Sequence, residues 1–196
     1  MIPIEYKKLK LPPFNRKEIL RYAGLKTDDG TPMEECICEM QDIEGAVVFT
    51  ELDIVRLEDS IDFGAFKTSS KDLSKNLGSS EKVLIFAATI GILPDRLIAK
   101  YSKLSPTKAM LIQAIATERI EAFCDAFCEE RRKYYTDFNL NLKPRFSPGY
   151  GDLPLELQKH IISMLDCQKY LGISLTESLL MMPSKSVTAI VGLYCE

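Results

Sequence analysis

The sequence predicts a mixed α+β domain: a mainly antiparallel sheet with helices packed on it, a long central helix and a C-terminal β-hairpin. Three observations carry this. Helical and strand patterns alternate irregularly along 196 residues, an apolar stripe repeats at helical spacing for some thirty residues after Ser105, and the last strand-like runs flank a Pro-Ser-Lys turn. A length of 196 residues with 46% hydrophobic and 27% charged side chains is enough to bury a proper core.

In chain order, Asn15-Arg16-Lys17-Glu18 has the spacing of a capping box and opens a short helix on Ile19 and Leu20, with Gly24 placed to end it. Thr31-Pro32-Met33-Glu34 repeats the device, so a helix with Met33, Ile37 and Met40 on one face is expected to run until Gly45. The β-branched run from Ala46 to Leu57 reads as one or two strands. Ser70 caps a helix with Leu73 and Leu77 inward and Gly78 at its end. The continuous apolar run KVLIFAATIG, Lys82 to Gly91, suits a central strand covered on both faces.

Ser105 then caps the longest helix. Pro106 starts it, and Ile112, Ala116, Ile120, Phe123 and Phe127 draw its buried stripe as far as Tyr135. Asp152 is placed to cap a helix carrying Leu157, Ile161, Met164 and Leu165, ended by Gly172. Strand, Pro183-Ser184-Lys185 turn and strand complete the expected hairpin. Residues 1–80 form an N-terminal helical and strand region and 81–196 the core, expected as one compact unit.

Composition narrows the function classes. A net charge of -3 lacks the basic excess of a nucleic-acid binder. The longest apolar run, Val83 to Leu93, is too short for a membrane span and the N-terminus lacks a signal-peptide core, so a cytoplasmic protein is expected. Of six cysteines none forms a C-x-x-C pair. Cys124 and Cys128 share a helical face and could join Cys167 or Cys195 on an ion, but the favoured reading is buried free thiols in a reducing compartment, with no metal site. There is no phosphate loop, nucleophile elbow or H-E-x-x-H, and the single histidine, His160, sits in a helical pattern without a triad partner. No catalytic residue is predicted.

The stretch PRFSPGYGDLP, Pro144 to Pro154, is different. Pro144 and Pro148 stiffen it, Gly149 and Gly151 let a ligand approach the main chain, Arg145 offers a planar fork for a carboxylate and Tyr150 a flat ring with a hydroxyl. The amides of Gly149, Tyr150 and Gly151 could point at a ligand. A rigid lead-in to the next helix explains the same residues equally well.

Four ordered blocks resemble the activation domain of cobalamin-dependent methionine synthase, in its free-standing form: AATIG at Ala87 to Gly91, IEAFCDAFCEERRK at Ile120 to Lys133, RFSPGYGDLPLELQ with its R-x-x-P-G-Y, and LTESLLMMPSKSVTAIVG. The resemblance implies a component of a methyltransferase system that binds S-adenosylmethionine for reductive methylation of cobalamin. The cobalamin would be carried by the cobalamin-binding domain of a separate methionine synthase or other corrinoid protein, and a flavodoxin-type reductant would supply the electron. It further implies that Arg145 grips the ligand carboxylate, that Ser147, Gly149 and Tyr150 hold the rest, and that Asp125 and Glu129 face the corrin. Without that resemblance, two acids four apart read as a solvated helix face. The fused form begins with a tryptophan-rich segment that supplies an acidic contact to the ligand, whereas this chain has no tryptophan. A second reading is therefore a non-catalytic module that docks on a corrinoid protein without binding S-adenosylmethionine.

Overall fold

The computed structural model describes residues 2–195, and its architecture follows from one strand. β6 (Lys82–Thr89) is the KVLIFAAT run, and it lies between β2 (Gly45–Asp53) and β10 (Ser186–Tyr194), antiparallel to both. β1 (Glu5–Leu9) extends the sheet beyond β2 and β7 (Asn141–Leu142) beyond β10, giving the order β1-β2-β6-β10-β7. Because side chains alternate along a strand, the apolar run feeds two cores. Leu84, Phe86 and Ala88 enter one, together with Val47, Phe49, Ala189 and Val191; Val83, Ile85 and Ala87 enter the other, with Val48 and Ile190.

The first core is closed by α1 (Arg16–Ala23), α2 (Met33–Glu39), α4 (Leu93–Leu104) and α5 (Pro106–Thr136). The Phe127 ring stands 5.2 Å from Phe49 and 5.1 Å from Phe86, at edge or tilted angles that aromatic pairs favour. The second core is closed by α3 (Lys71–Leu77), α6 (Leu157–Met164) and α7 (Cys167–Leu171), with a small sheet of β3 (Val55–Arg56), β4 (Ile61–Asp62) and β5 (Lys67–Thr68). The predicted α+β class with its long helix is the observed one.

Local signals act largely as expected. Asn15 accepts the Glu18 amide and Gly24 closes α1 in the left-handed region, while Ser70 and Ser105 cap α3 and α5. Four expectations need correction. Thr31 does not cap α2, because its hydroxyl donates to Asp28 O and Pro32 occupies the cap position. α2 ends at Glu39 rather than at Gly45, which instead opens β2 directly beneath the Phe123 ring.

Asp152 does not cap the helix that follows it, since α6 begins only at Leu157. The terminal turn at Pro183 does not join a paired hairpin either. β9 (Met181–Met182) pairs with β8 (Ser174–Leu175), whereas β10 turns into the main sheet beside β6. The structure also adds α4, where Pro94 sits in the first turn and Leu97 and Tyr101 face inward among charges that dilute the stripe. Among the described residues, no helix is long and apolar enough to cross a membrane.

Candidate ligand cradle on the long helix

The cradle begins as an irregular continuation of an edge strand. The Lys143 amide donates to Gly192 O at 2.9 Å, and Phe146 exchanges hydrogen bonds with Ile190 at 2.9 and 2.8 Å. Alternation then sends Phe146 into the second core and Arg145 to the opposite side, against α5. There one guanidinium nitrogen, Nη2, lies 3.0 Å from Glu121 Oε2 and 2.8 Å from Asp125 Oδ1. Burial lowers the Arg145 pKa, and Cys124, Glu121 and Asp125 more than restore it, so the group stays above its ordinary value. Its side chain is 23% exposed, against 73% for Asp125, so the arginine is the anchored partner and the acid the one open to solvent.

Beyond Phe146 the chain folds back on itself. Tyr150 N donates to Ser147 O at 3.1 Å, Gly149 N to Leu153 O at 2.9 Å and Leu153 N to Tyr150 O at 3.1 Å. The idea that the Gly149 and Tyr150 amides are free for a ligand is thereby corrected. Among the described residues, the amides of Ser147 and Gly151 are the ones in this turn with no internal acceptor. Tyr150 is 69% exposed, its ring set edge-on to Phe146 at 5.4 Å, so a flat aromatic face stands at the rim.

The loop is fixed from below by two carboxylates. Asp152 accepts the Ser70 hydroxyl and the amides of Lys71 (2.7 Å) and Asp72 (3.2 Å), while its own amide donates to Asp72 Oδ2. The Ser70 hydrogen bond holds the Asp152 carboxyl below the usual carboxylate range; burial opposes it, and the Lys71 and Asp72 amides add smaller contributions in the same direction as Ser70. Asp152 is thus a cap, as its sequence position suggests, but for α3 and across the fold. At Gly151, with φ of 57°, any Cβ would overlap the Asp72 carboxylate.

The structure brings Arg145 and Asp125 together and leaves Glu129 one turn further along α5, paired with Arg132. Asp125 and Glu129 line an open groove of about 800 Å³ between α5 and the Pro12–Tyr22 segment, with Glu121, Tyr22 and Arg132. Glu121 was not singled out from sequence, although its position four residues before Asp125 on one helix face is a visible signal. Cys124 and Cys128 are buried free thiols. Burial raises the first strongly and pushes the second to about 11, and among the described residues no group of three or more metal-ligating side chains forms. His160 is exposed beside the Phe66 ring.

Comparison with known proteins agrees with this architecture. Among solved structures, the chain resembles one described as the crystal structure of the MetH reactivation domain bound to AdoHcy, with a TM-score of 0.71 and 18% identity over 97% of this chain and 78% of that one. Residues 38–195 match the family described as vitamin B12 dependent methionine synthase, activation domain. With that match spanning most of the chain, from α2 through the cradle to β10, this protein belongs to the family of vitamin B12-dependent methionine synthase activation domains.

Proposed function

We propose that the chain is a stand-alone reactivation module, which binds S-adenosylmethionine in the cradle and presents it to cobalamin carried by a separate methionine synthase in the cytosol. The observation that supports this most is the alternating charge at the cradle: Arg145 held against Glu121 and Asp125 on α5. S-adenosylmethionine carries a carboxylate, an ammonium and a sulfonium. A guanidinium fork suits the first, and the two acids suit the cationic groups. The solved relative's AdoHcy is what remains of that donor once its methyl has left.

In this reading Arg145 binds the carboxylate, the open amides of Ser147 and Gly151 take polar edges of the ligand, and Tyr150 covers the flat base. Asp125 and Glu129 turn the groove toward the corrin. A partner's cobalamin facing Asp125 and Glu129 would supply the methyl acceptor once a flavodoxin-type protein had given it one electron, and the ligand's sulfur would keep the electron pair of the carbon–sulfur bond. The chain itself needs only to orient the donor and exclude water, so no acid or base is demanded of it.

Calorimetric titration with S-adenosylmethionine tests the reading. Binding is expected, weakened about ten- to a hundredfold in Arg145→Ala by loss of a charged hydrogen-bond partner; absence of binding by the wild type would sink it. The closed amides of Gly149 and Tyr150, and an arginine already paired internally, favour a second reading in which the module only docks on a corrinoid protein. Capture of a cobalamin-loaded partner domain with equal strength with and without S-adenosylmethionine would select that alternative. Failure to capture it under either condition would reject it.

A further inference from the structure

We propose that Lys185 is a second cationic contact of the same cradle and takes the carboxylate of the bound amino-acid end beside Arg145; this rests on the reading of the preceding subsection. Lys185 lies in the turn before β10 and is only 8% exposed. Its backbone is pinned at the end of β6, where its carbonyl accepts the Ile90 amide at 3.2 Å and the Thr89 hydroxyl at 3.4 Å. Its ammonium makes one hydrogen bond, to Thr117 Oγ1 at 3.1 Å, and that hydroxyl in turn donates to Gln113 O. Among the described residues no carboxylate lies within 4.0 Å of it.

A buried ammonium has three protons to place and a charge to balance. Asp95, the acid whose charge opposes that burial, accepts the Ser184 amide at 3.2 Å and forms no ion pair with the amine. Burial accordingly lowers the Lys185 pKa. The group is built for an anion that the protein itself does not supply.

Its place relative to the cradle gives that anion an identity. Thr117, Glu121 and Asp125 follow one another at four-residue spacing on a single face of α5, about 6 Å of helix rise apart. Lys185 meets the first, and Arg145 meets the second and third. Along this face the charges therefore alternate: Lys185, Glu121, Arg145, Asp125. An amino-acid carboxylate arriving at Arg145 must compete with two carboxylates already there, whereas at Lys185 it meets none. The ammonium beside that carboxylate then falls to Glu121.

The experiment compares two ligands that differ only in the carboxylate. Calorimetry is done with S-adenosylmethionine and with decarboxylated S-adenosylmethionine, on the wild type and on Lys185→Met, which keeps the buried volume and removes the charge. The wild type should prefer the carboxylate-bearing ligand by about tenfold or more, and the variant should lose about threefold or more of that preference, Arg145 keeping the rest, while still binding the decarboxylated compound as the wild type does. An undiminished preference in the variant, or an equal weakening for both ligands, would overturn the proposal.

A second measurement stands independently of sulfonium binding and of whether the variant folds. In the wild-type protein, the Lys185 ε-methylene resonance is followed by NMR during titration with L-methionine. A saturable shift supports the contact. No shift at tens of millimolar would refute it, on the millimolar scale expected of so small a ligand. A protein that shows this shift and yet binds no sulfonium would fail the reading of the preceding subsection and keep this one.

Discussion

Gly151 shows how little freedom a single residue has where the cradle meets α3. Its φ of 57° lies in the left-handed region, and a side chain there would run into the Asp72 carboxylate that accepts the Asp152 amide. Gly151→Ala is therefore expected to destabilise the protein by about 1–3 kcal/mol, read as a lower denaturation midpoint. Gly45 is confined differently: its backbone is ordinary, but the Phe123 ring covers the position of any Cβ. Gly45→Ala should cost about as much through overpacking, and Phe123→Leu should relieve part of it in the double variant. At Lys185 the sign of the pH effect follows from burial. The folded state lowers its pKa, so the charged form disfavours folding, and stability should rise with pH from the lowered value up to the ordinary lysine range. Lys185→Met is expected to match or exceed the wild-type melting temperature below the ordinary lysine range and to flatten the rise with pH that ends there.

Among the elements, α3 depends on a residue some eighty positions away. Asp152 supplies the acceptor for its first amides, and Ser70 supplies one for Leu73. Asp152→Ala should accelerate hydrogen exchange at Lys71 and Asp72 and at the Gly149 amide, while Leu73, still capped by Ser70, keeps more of its protection. Since those hydrogen bonds hold the Asp152 pKa below its ordinary value, their contribution is present above about pH 4 and is lost as pH falls through the lowered value. The same cap shows how much was legible in the sequence. An aspartate after a Gly-Tyr-Gly turn announces a helix N-terminus, but not whose, because a cap is recognised by local chemistry and its partner by the fold. Likewise the Pro183 turn was visible while the partners of the flanking strands were not, since β9 is too short to compete with the long register β10 finds along β6. Arg145 stands out in the sequence by its setting among prolines and glycines, whereas nothing in the neighbours of Lys185 signals that it is buried.

For the molecule as a whole, the two cores meet through the sheet, and a buried ion pair ties the N-terminal segment to them. Glu118 and Arg119 are 3% and 2% exposed. Arg119 donates to the carbonyls of Pro12 and Pro13 and lies over the Phe14 ring, and Glu118 accepts the Asn15 amide. Removing one member strands the other, so Arg119→Met should cost about 3–5 kcal/mol, measured by denaturant unfolding, and widen the groove wall formed by Pro12 and Pro13. The cradle is fastened just as widely: Phe146 to β10, Arg145 to α5 and Asp152 to α3. Its inner turn, held by the bonds from Tyr150 N to Ser147 O and from Gly149 N to Leu153 O, would survive transfer to a foreign scaffold, because those bonds are its own. Its aim would not. Pro144 to Pro154 is thus no portable cassette, and rebuilding this arrangement in another protein would mean transplanting the α5 face and the head of α3 along with the loop.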